Sequence, residues 1–175
     1  MMRHPIDTLP REIDPWAFAR ARQLADGELS RKDLPALKQW TTDNHPLTAH
    51  LEGAIDDYQQ PCLQGSLHID LQMQCQRCLQ PLVMSVEREF AYVPIRSQAL
   101  EDRVEGGAET LICDNEILDV AWFLQEEVLL AMPMIAKHDD CEPPINTAES
   151  DPSEEEASEH PFAALKALIN SKEHS

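Results

Sequence analysis

Period-two alternation between residues 47 and 93 constrains this chain more than any other feature. Leu67, Ile69, Leu71, Met73 and Cys75 fall on one side of a strand, with Ser66, His68, Asp70, Gln72 and Gln74 on the other. Leu47, Ala49, Leu51, Gly53 and Ile55 show the same pattern earlier, separated by Thr48, His50, Glu52 and Ala54. Leu82, Met84, Val86, Phe90 and Tyr92 show it later, interrupted only by Arg88. Neighbouring side chains of a strand point to opposite faces. Three such runs with short connections therefore describe an antiparallel meander, packed on one face and wet on the other. His50 and His68 fall on the wet side and are expected to be exposed rather than metal-bound.

Around this meander the periodicity becomes helical. "DNEILDVAWFLQEEVLLAMP" carries the strongest helix signal, with Ile117, Ala121, Leu124, Val128 and Ala131 on one stripe and Leu118, Trp122 and Leu129 beside it. Such a wide apolar face suits a helix covering a sheet, with Asp114 or Asp119 as cap and Pro133 as stop. "TLIC" (110–113) reads as one more short strand. Near the N-terminus two short helices are expected. The first is capped by Asp14, opened by Pro15 and closed by Gly27; the second is capped by Ser30. The fold class is thus α+β: an antiparallel β-meander or partly closed barrel covered by a long helix, with short N-terminal helices. Residues 1–141 form its single domain. Residues 142–160 are nearly devoid of apolar side chains and read as an acidic disordered linker. Residues 161–172, with Phe162, Leu165 and Ile169 on one side, read as a tethered amphipathic helix.

The net charge of −18 is distributed unevenly. Residues 1–50 balance seven Lys/Arg against seven Asp/Glu, whereas residues 101–175 hold four against nineteen. A polyanion repels nucleic acid as a whole, because grip on phosphate depends on cations displacing condensed counterions. Contact with RNA is then confined to the balanced N-terminal part, where Arg20, Arg22, Arg31 and Lys32 are the candidates. A solvated helix face is the plainer reading of the same residues. The acidic half suits a basic protein. No apolar run approaches the roughly 20 residues that span a bilayer, and the first residues lack the apolar core of a secretory signal. Five cysteines thinly spread fit a reducing cytoplasm better than a disulfide framework.

Two of those cysteines, in "MQCQRCLQPL", stand three positions apart at a strand end. Cys75 and Cys78 have the spacing of one zinc knuckle, and His138 and Cys141 in "KHDDCEP" offer the same gap. Four such ligands would meet only if the loop after the long helix folds back over the hairpin. A plain hairpin turn, without metal or cofactor, is the preferred reading, and a zinc-binding interaction module is the alternative. A redox pair fits less well, because that motif normally opens a helix, which lowers the thiolate pKa. Cys62 and Cys113 read as small buried hydrophobes. Glu126 and Glu127 stand side by side on the helix, about 100° apart, and do not converge as an acid–base pair. No phosphate loop, nucleophile elbow or metalloprotease motif occurs, so no catalytic residue is assigned and an RNA-processing enzyme is the weakest reading.

Three stretches in order carry a resemblance: Cys-x-Arg-Cys-Leu within "LQMQCQRCLQPL", then "EEVLLAMPMIAKHDDC", then "HPFAALKAL". Together they resemble the bacterial YceD family of large ribosomal RNA subunit accumulation proteins, from about residue 10 to the C-terminus. The matching positions are Cys75, Arg77, Cys78 and Leu79, then Glu126, Glu127, Leu129, Leu130 and Pro133, more loosely His138 and Cys141, and Pro161, Phe162 and Leu165. The resemblance implies a cytoplasmic, non-enzymatic factor that supports synthesis, processing or stability of 23S rRNA in the large ribosomal subunit. Its expected partners are large-subunit components: a basic ribosomal protein, an assembly factor, or 23S rRNA itself.

Overall fold

The computed structural model describes residues 8–42 and 44–144. The acidic segment beyond Pro144 and the helix expected over 161–172 lie outside the described residues. Strands β1 (Glu12–Ile13), β2 (Leu24–Leu29), β3 (Leu47–Ile55), β4 (Pro61–Gln74), β5 (Pro81–Ile95), β6 (Glu109–Ile112) and β7 (Leu118–Asp119) accompany helices α1 (Pro15–Ala21) and α2 (Val120–Ala131). Five strands form one sheet in the order β2-β3-β4-β5-β6, antiparallel except for the β5–β6 pair. β1 and β7 make a separate two-residue pair, Glu12 opposite Asp119 and Ile13 opposite Leu118. The architecture is α+β, with the sheet open rather than closed into a barrel. Between β5 and β6 the chain turns through a 3₁₀ segment at Gln98–Arg103, which supplies the long crossover a parallel neighbour needs.

Burial follows the alternation. Leu47, Ala49 and Leu51 are buried on β3, Leu67, Ile69 and Leu71 on β4, and Val86, Phe90 and Tyr92 on β5, while their neighbours face outward. Both helices lie on this packed face. α2 lays Val120, Phe123, Leu124 and Val128 onto the sheet. The Phe123 ring meets Phe90 edge-on, with centroids 5.0 Å apart, and Tyr92 at 6.0 Å. Each such pair adds about 0.5–1.5 kcal/mol beyond area burial. α1 crosses β3 at Gly53, where an added Cβ would strike the Phe18 carbonyl, so only glycine permits this approach.

The N-terminal expectation is corrected in two places. Asp14 does cap α1, its Oδ1 accepting the N–H groups of Trp16 and Ala17 at 2.9 and 3.0 Å. The helix stops five residues before Gly27, however, at Arg22, which adopts the left-handed conformation with φ 51°. Leu24–Leu29 then pair with Leu47–Glu52 as the edge strand of the sheet. Sheet pairing overrides continuation of the helix to Gly27 because it satisfies a whole row of backbone groups. The expected second helix consists of two 3₁₀ turns, Arg31–Asp33 and Pro35–Leu37, with Ser30 and Asp33 closing a capping box. Three members of the expected α2 stripes also differ: Ile117 and Leu118 precede the helix, Leu118 within β7, and Ile117 and Trp122 are exposed. No described helix is long and apolar enough to cross a membrane.

Candidate metal centre

The β4–β5 hairpin ends in the CxxC turn. Cys75 continues the packed parity of β4 and is fully buried. Its N–H donates to the Gln80 carbonyl at 2.9 Å, and its own carbonyl accepts the Leu79 N–H at 2.9 Å, so the turn closes tightly on itself. Closure forces Leu79 to φ 62°, a left-handed conformation costing an L-residue roughly 1–2 kcal/mol. At the far side, Asp119 caps α2 by accepting the Trp122 N–H, and the helix ends at Met132, just before exposed Pro133. Proline disfavours helical backbone at the preceding residue, and Met132 is extended with ψ 136°. The chain then leaves α2 as a strap, residues 133–141, and crosses the hairpin tip. Buried Ala136 accepts the Gln76 N–H at 2.8 Å and pins it there.

The strap delivers His138 and Cys141 to the CxxC turn. The fold-back that a four-ligand site requires is therefore present. One ligand atom from each of Cys75, Cys78, His138 and Cys141 lies within 4.8 Å of all the others. Cys75 Sγ is 3.6 Å from Cys141 Sγ, and Cys78 Sγ is 3.3 Å from His138 Nδ1. All five cysteines are free thiols. The backbone N–H groups of His138 and Cys78 donate to Cys75 Sγ at 3.4 and 3.5 Å. Burial pushes the Cys75 thiol up, but backbone hydrogen bonds from Cys78, His138 and Arg77 outweigh it and bring the pKa down to about 5. Cys78 moves the opposite way. A backbone hydrogen bond with Gln80 favours its thiolate, yet burial and the neighbouring sulfurs of Cys75 and Cys141 carry it upward.

Arg77, between the two turn cysteines, spans the gap to the strap. Its Nε donates to Cys141 Sγ at 3.0 Å, and its Nη2 donates to the carbonyls of His138 at 2.6 Å and Asp139 at 3.2 Å. Sequence reasoning singled out Arg77 only as a motif position. The other motif positions lie apart from this cluster. Glu127 is buried under α2, where its Oε2 accepts Arg88 Nε at 3.1 Å and its Oε1 accepts the Tyr92 hydroxyl at 2.9 Å. Glu126 is half-buried, and Leu79 is exposed. Arg88, the one interruption of β5, thus answers a carboxylate on the covering helix.

The remaining candidates are scattered. Arg20, Arg22 and Lys32 are exposed, and Arg31 donates from Nε and Nη2 to the Lys38 carbonyl, bracing the 3₁₀ turns. The six residues of β2 separate Arg22 from Arg31, a strand about 20 Å long. Cys62 and Cys113 are buried in or beside strands as expected, and burial raises both thiols, Cys113 to about 11. His50 and His68 lie on the outer face of the sheet, with His50 Nδ1 2.7 Å from Asp26 Oδ1.

An open five-stranded sheet, helices on one face, and a Cys₃His cluster where a strap crosses the longest hairpin define a small α+β protein with a thiol–imidazole clasp. The family model described as Large ribosomal RNA subunit accumulation protein YceD matches residues 63–169, and the chain belongs to that family. The match includes the hairpin, α2 and all four cluster residues. A Haemophilus influenzae protein of the same description is 25% identical over 167 residues, which span 91% of this chain and 95% of that one. No solved structure matches.

Proposed function

We propose that this protein supports accumulation of the large-subunit ribosomal RNA in the cytoplasm by binding a basic large-subunit protein or assembly factor, without catalysing a reaction. The observation carrying this reading is the outer face of the sheet. Cross-strand rows place Asp26, His50, Ser66 and Glu89 side by side, and Glu28, Thr48, His68 and Glu87 in the next row. Glu52 and Asp70 extend these rows on β3 and β4. The outward positions of β2–β5 carry six carboxylates and two histidines but neither lysine nor arginine. The face forms an open cleft of about 590 Å³ whose charged lining is Asp26, Glu28, Glu87 and Glu89 with one cation, Arg88, whose guanidinium turns to Glu127 on the packed side. A rigid sheet presenting one sign of charge focuses the field on a basic surface, speeds its capture and repels phosphate. Charge of the same sign in the C-terminal part of the sequence extends the attraction.

Affinity capture from lysate at low salt, run with and without RNase, tests this reading. The expected result is a basic large-subunit protein that survives RNase and is lost from a Glu28→Gln/Glu87→Gln/Glu89→Gln variant. Enrichment of large-subunit rRNA, with every protein partner lost on RNase treatment, would overturn it. Direct RNA contact through Arg20, Arg22, Arg31 and Lys32 would then be the function to pursue.

A further inference from the structure

We propose that Cys75, Cys78, His138 and Cys141 bind one zinc ion in a closed Cys₃His site, and that Arg77 is the positioning residue that holds the strap in liganding register. Zn–S bonds of about 2.3 Å and Zn–N bonds of about 2.0–2.1 Å give a tetrahedron with S–S edges near 3.8 Å and S–N edges near 3.6 Å. The two contacts at 3.6 and 3.3 Å already lie close to those edges. They are far from the roughly 2.05 Å of a disulfide. Three thiols and one imidazole are a donor set for a borderline-soft tetrahedral ion, whereas magnesium and calcium require oxygen. Four protein ligands leave no position for water, so the ion would be structural rather than catalytic.

The surroundings of the cluster support the same assignment. Thiolate ligands are stabilised by N–H donors from an outer shell, and the backbone N–H groups of Cys78 and His138 already serve Cys75 in this way. Three thiolates around a divalent ion leave one negative charge, and the guanidinium against Cys141 Sγ offsets it. The same Arg77 grips the carbonyls of His138 and Asp139, which fixes the strap on the turn with both ligands facing it. Left-handed Leu79 immediately after Cys78 stores local strain of the kind that persists only where the surroundings over-determine the turn. This inference rests on side chains at the hairpin tip and not on the partner proposed for the outer face.

The test is elemental analysis of the full chain, purified without a histidine tag under reducing conditions from zinc-replete growth. About one zinc per chain is expected, retained in Cys62→Ala and Cys113→Ala and lost in Cys78→Ser and Cys141→Ser. Cobalt(II) exchange into the unaltered chain keeps the test independent of how well the ligand variants fold. It should give sulfur-to-cobalt charge transfer and the intense d–d bands of a tetrahedral thiolate site. In competition with a chromophoric chelator, Arg77→Gln should weaken zinc binding about 10–100-fold while preserving those bands. Wild-type chain that carries no zinc and gives no tetrahedral cobalt spectrum overturns the site, and so does iron in place of zinc. Unchanged zinc affinity in Arg77→Gln overturns the role given to the arginine.

Discussion

The chain from α2 to Cys141 is fastened to the β4–β5 hairpin at two places, closed by different chemistry. Under the middle of α2, both oxygens of Glu127 meet a donor, Arg88 Nε and the Tyr92 hydroxyl. At the hairpin tip, three sulfurs and an imidazole nitrogen converge, facing two backbone N–H groups and one guanidinium. The first set is complete within the protein. Its net stabilisation is modest, since desolvation of a buried pair roughly cancels the attraction, but removing one member strands the other. The second set is rich in lone pairs and poor in donors, which is the condition a cation resolves. A saturated polar cluster is a structural tie; a cluster with excess lone pairs calls for a ligand.

Removing the metal should break this contrast most strongly. A ligand held at a thousand times its dissociation constant stabilises a fold by about 4 kcal/mol. Chelation should therefore lower the melting temperature by roughly 10 °C or more in scanning calorimetry. It should also speed hydrogen exchange at Gln76, whose N–H is held by the strap. If neither quantity moves, the tip is a turn and the two fastenings are alike.

The next effect belongs to the other fastening. Arg88→Met leaves Glu127 buried with a single donor and should cost about 2–3 kcal/mol in urea unfolding, with zinc content unchanged. Partial exposure of Arg88 keeps this below the cost of breaking a wholly buried pair. The Arg88→Met/Glu127→Met double variant should recover only part of the loss, because it strands the Tyr92 hydroxyl. A double variant no more stable than the single would show that the tie contributes more than mutual neutralisation.

Tyr92→Phe should cost less, about 1–2 kcal/mol. Burial first, then Glu127, raises the Tyr92 phenol above its ordinary value, with Arg88 opposing. The folded phenol therefore stays neutral after the unfolded one ionises. Stability from this source is complete below about pH 10 and falls as pH rises from there toward the folded pKa. Unfolding followed against pH should show a shallower alkaline decline in the phenylalanine variant. Leu79→Gly is expected to have the smallest effect, a gain of about 0.5 kcal/mol, because relief of left-handed strain is partly offset by added freedom in the unfolded chain. A loss of stability would mean that the exposed leucine makes a contribution the strain argument omits.

The sheet was legible in residues 47–93 because burial on one face imposes a period of two, and Cys75 inherits its burial from that period. The Asp119 cap and the stop at Pro133 were legible as local chemistry. Leu24–Leu29 were not, because a short edge strand containing Asp26 and Gly27 gains its stability from β3 rather than from its own pattern. Arg88 and Glu127 each left a signal, a cation on the packed parity of a strand and a carboxylate on the buried side of a helix. Only α2's placement over β5 made them partners.

For the cysteines the division is sharpest. The sequence by itself determined two donor pairs, each with a two-residue gap, at a strand end and after a helix stop. Whether they meet was decided by the tertiary structure. The twelve residues of α2, about 18 Å of helix, run along the packed face and leave the strap at the hairpin tip. Ligand spacing is a local property of the chain, but convergence depends on the direction and length of a helix, and those are set by the core that α2 covers.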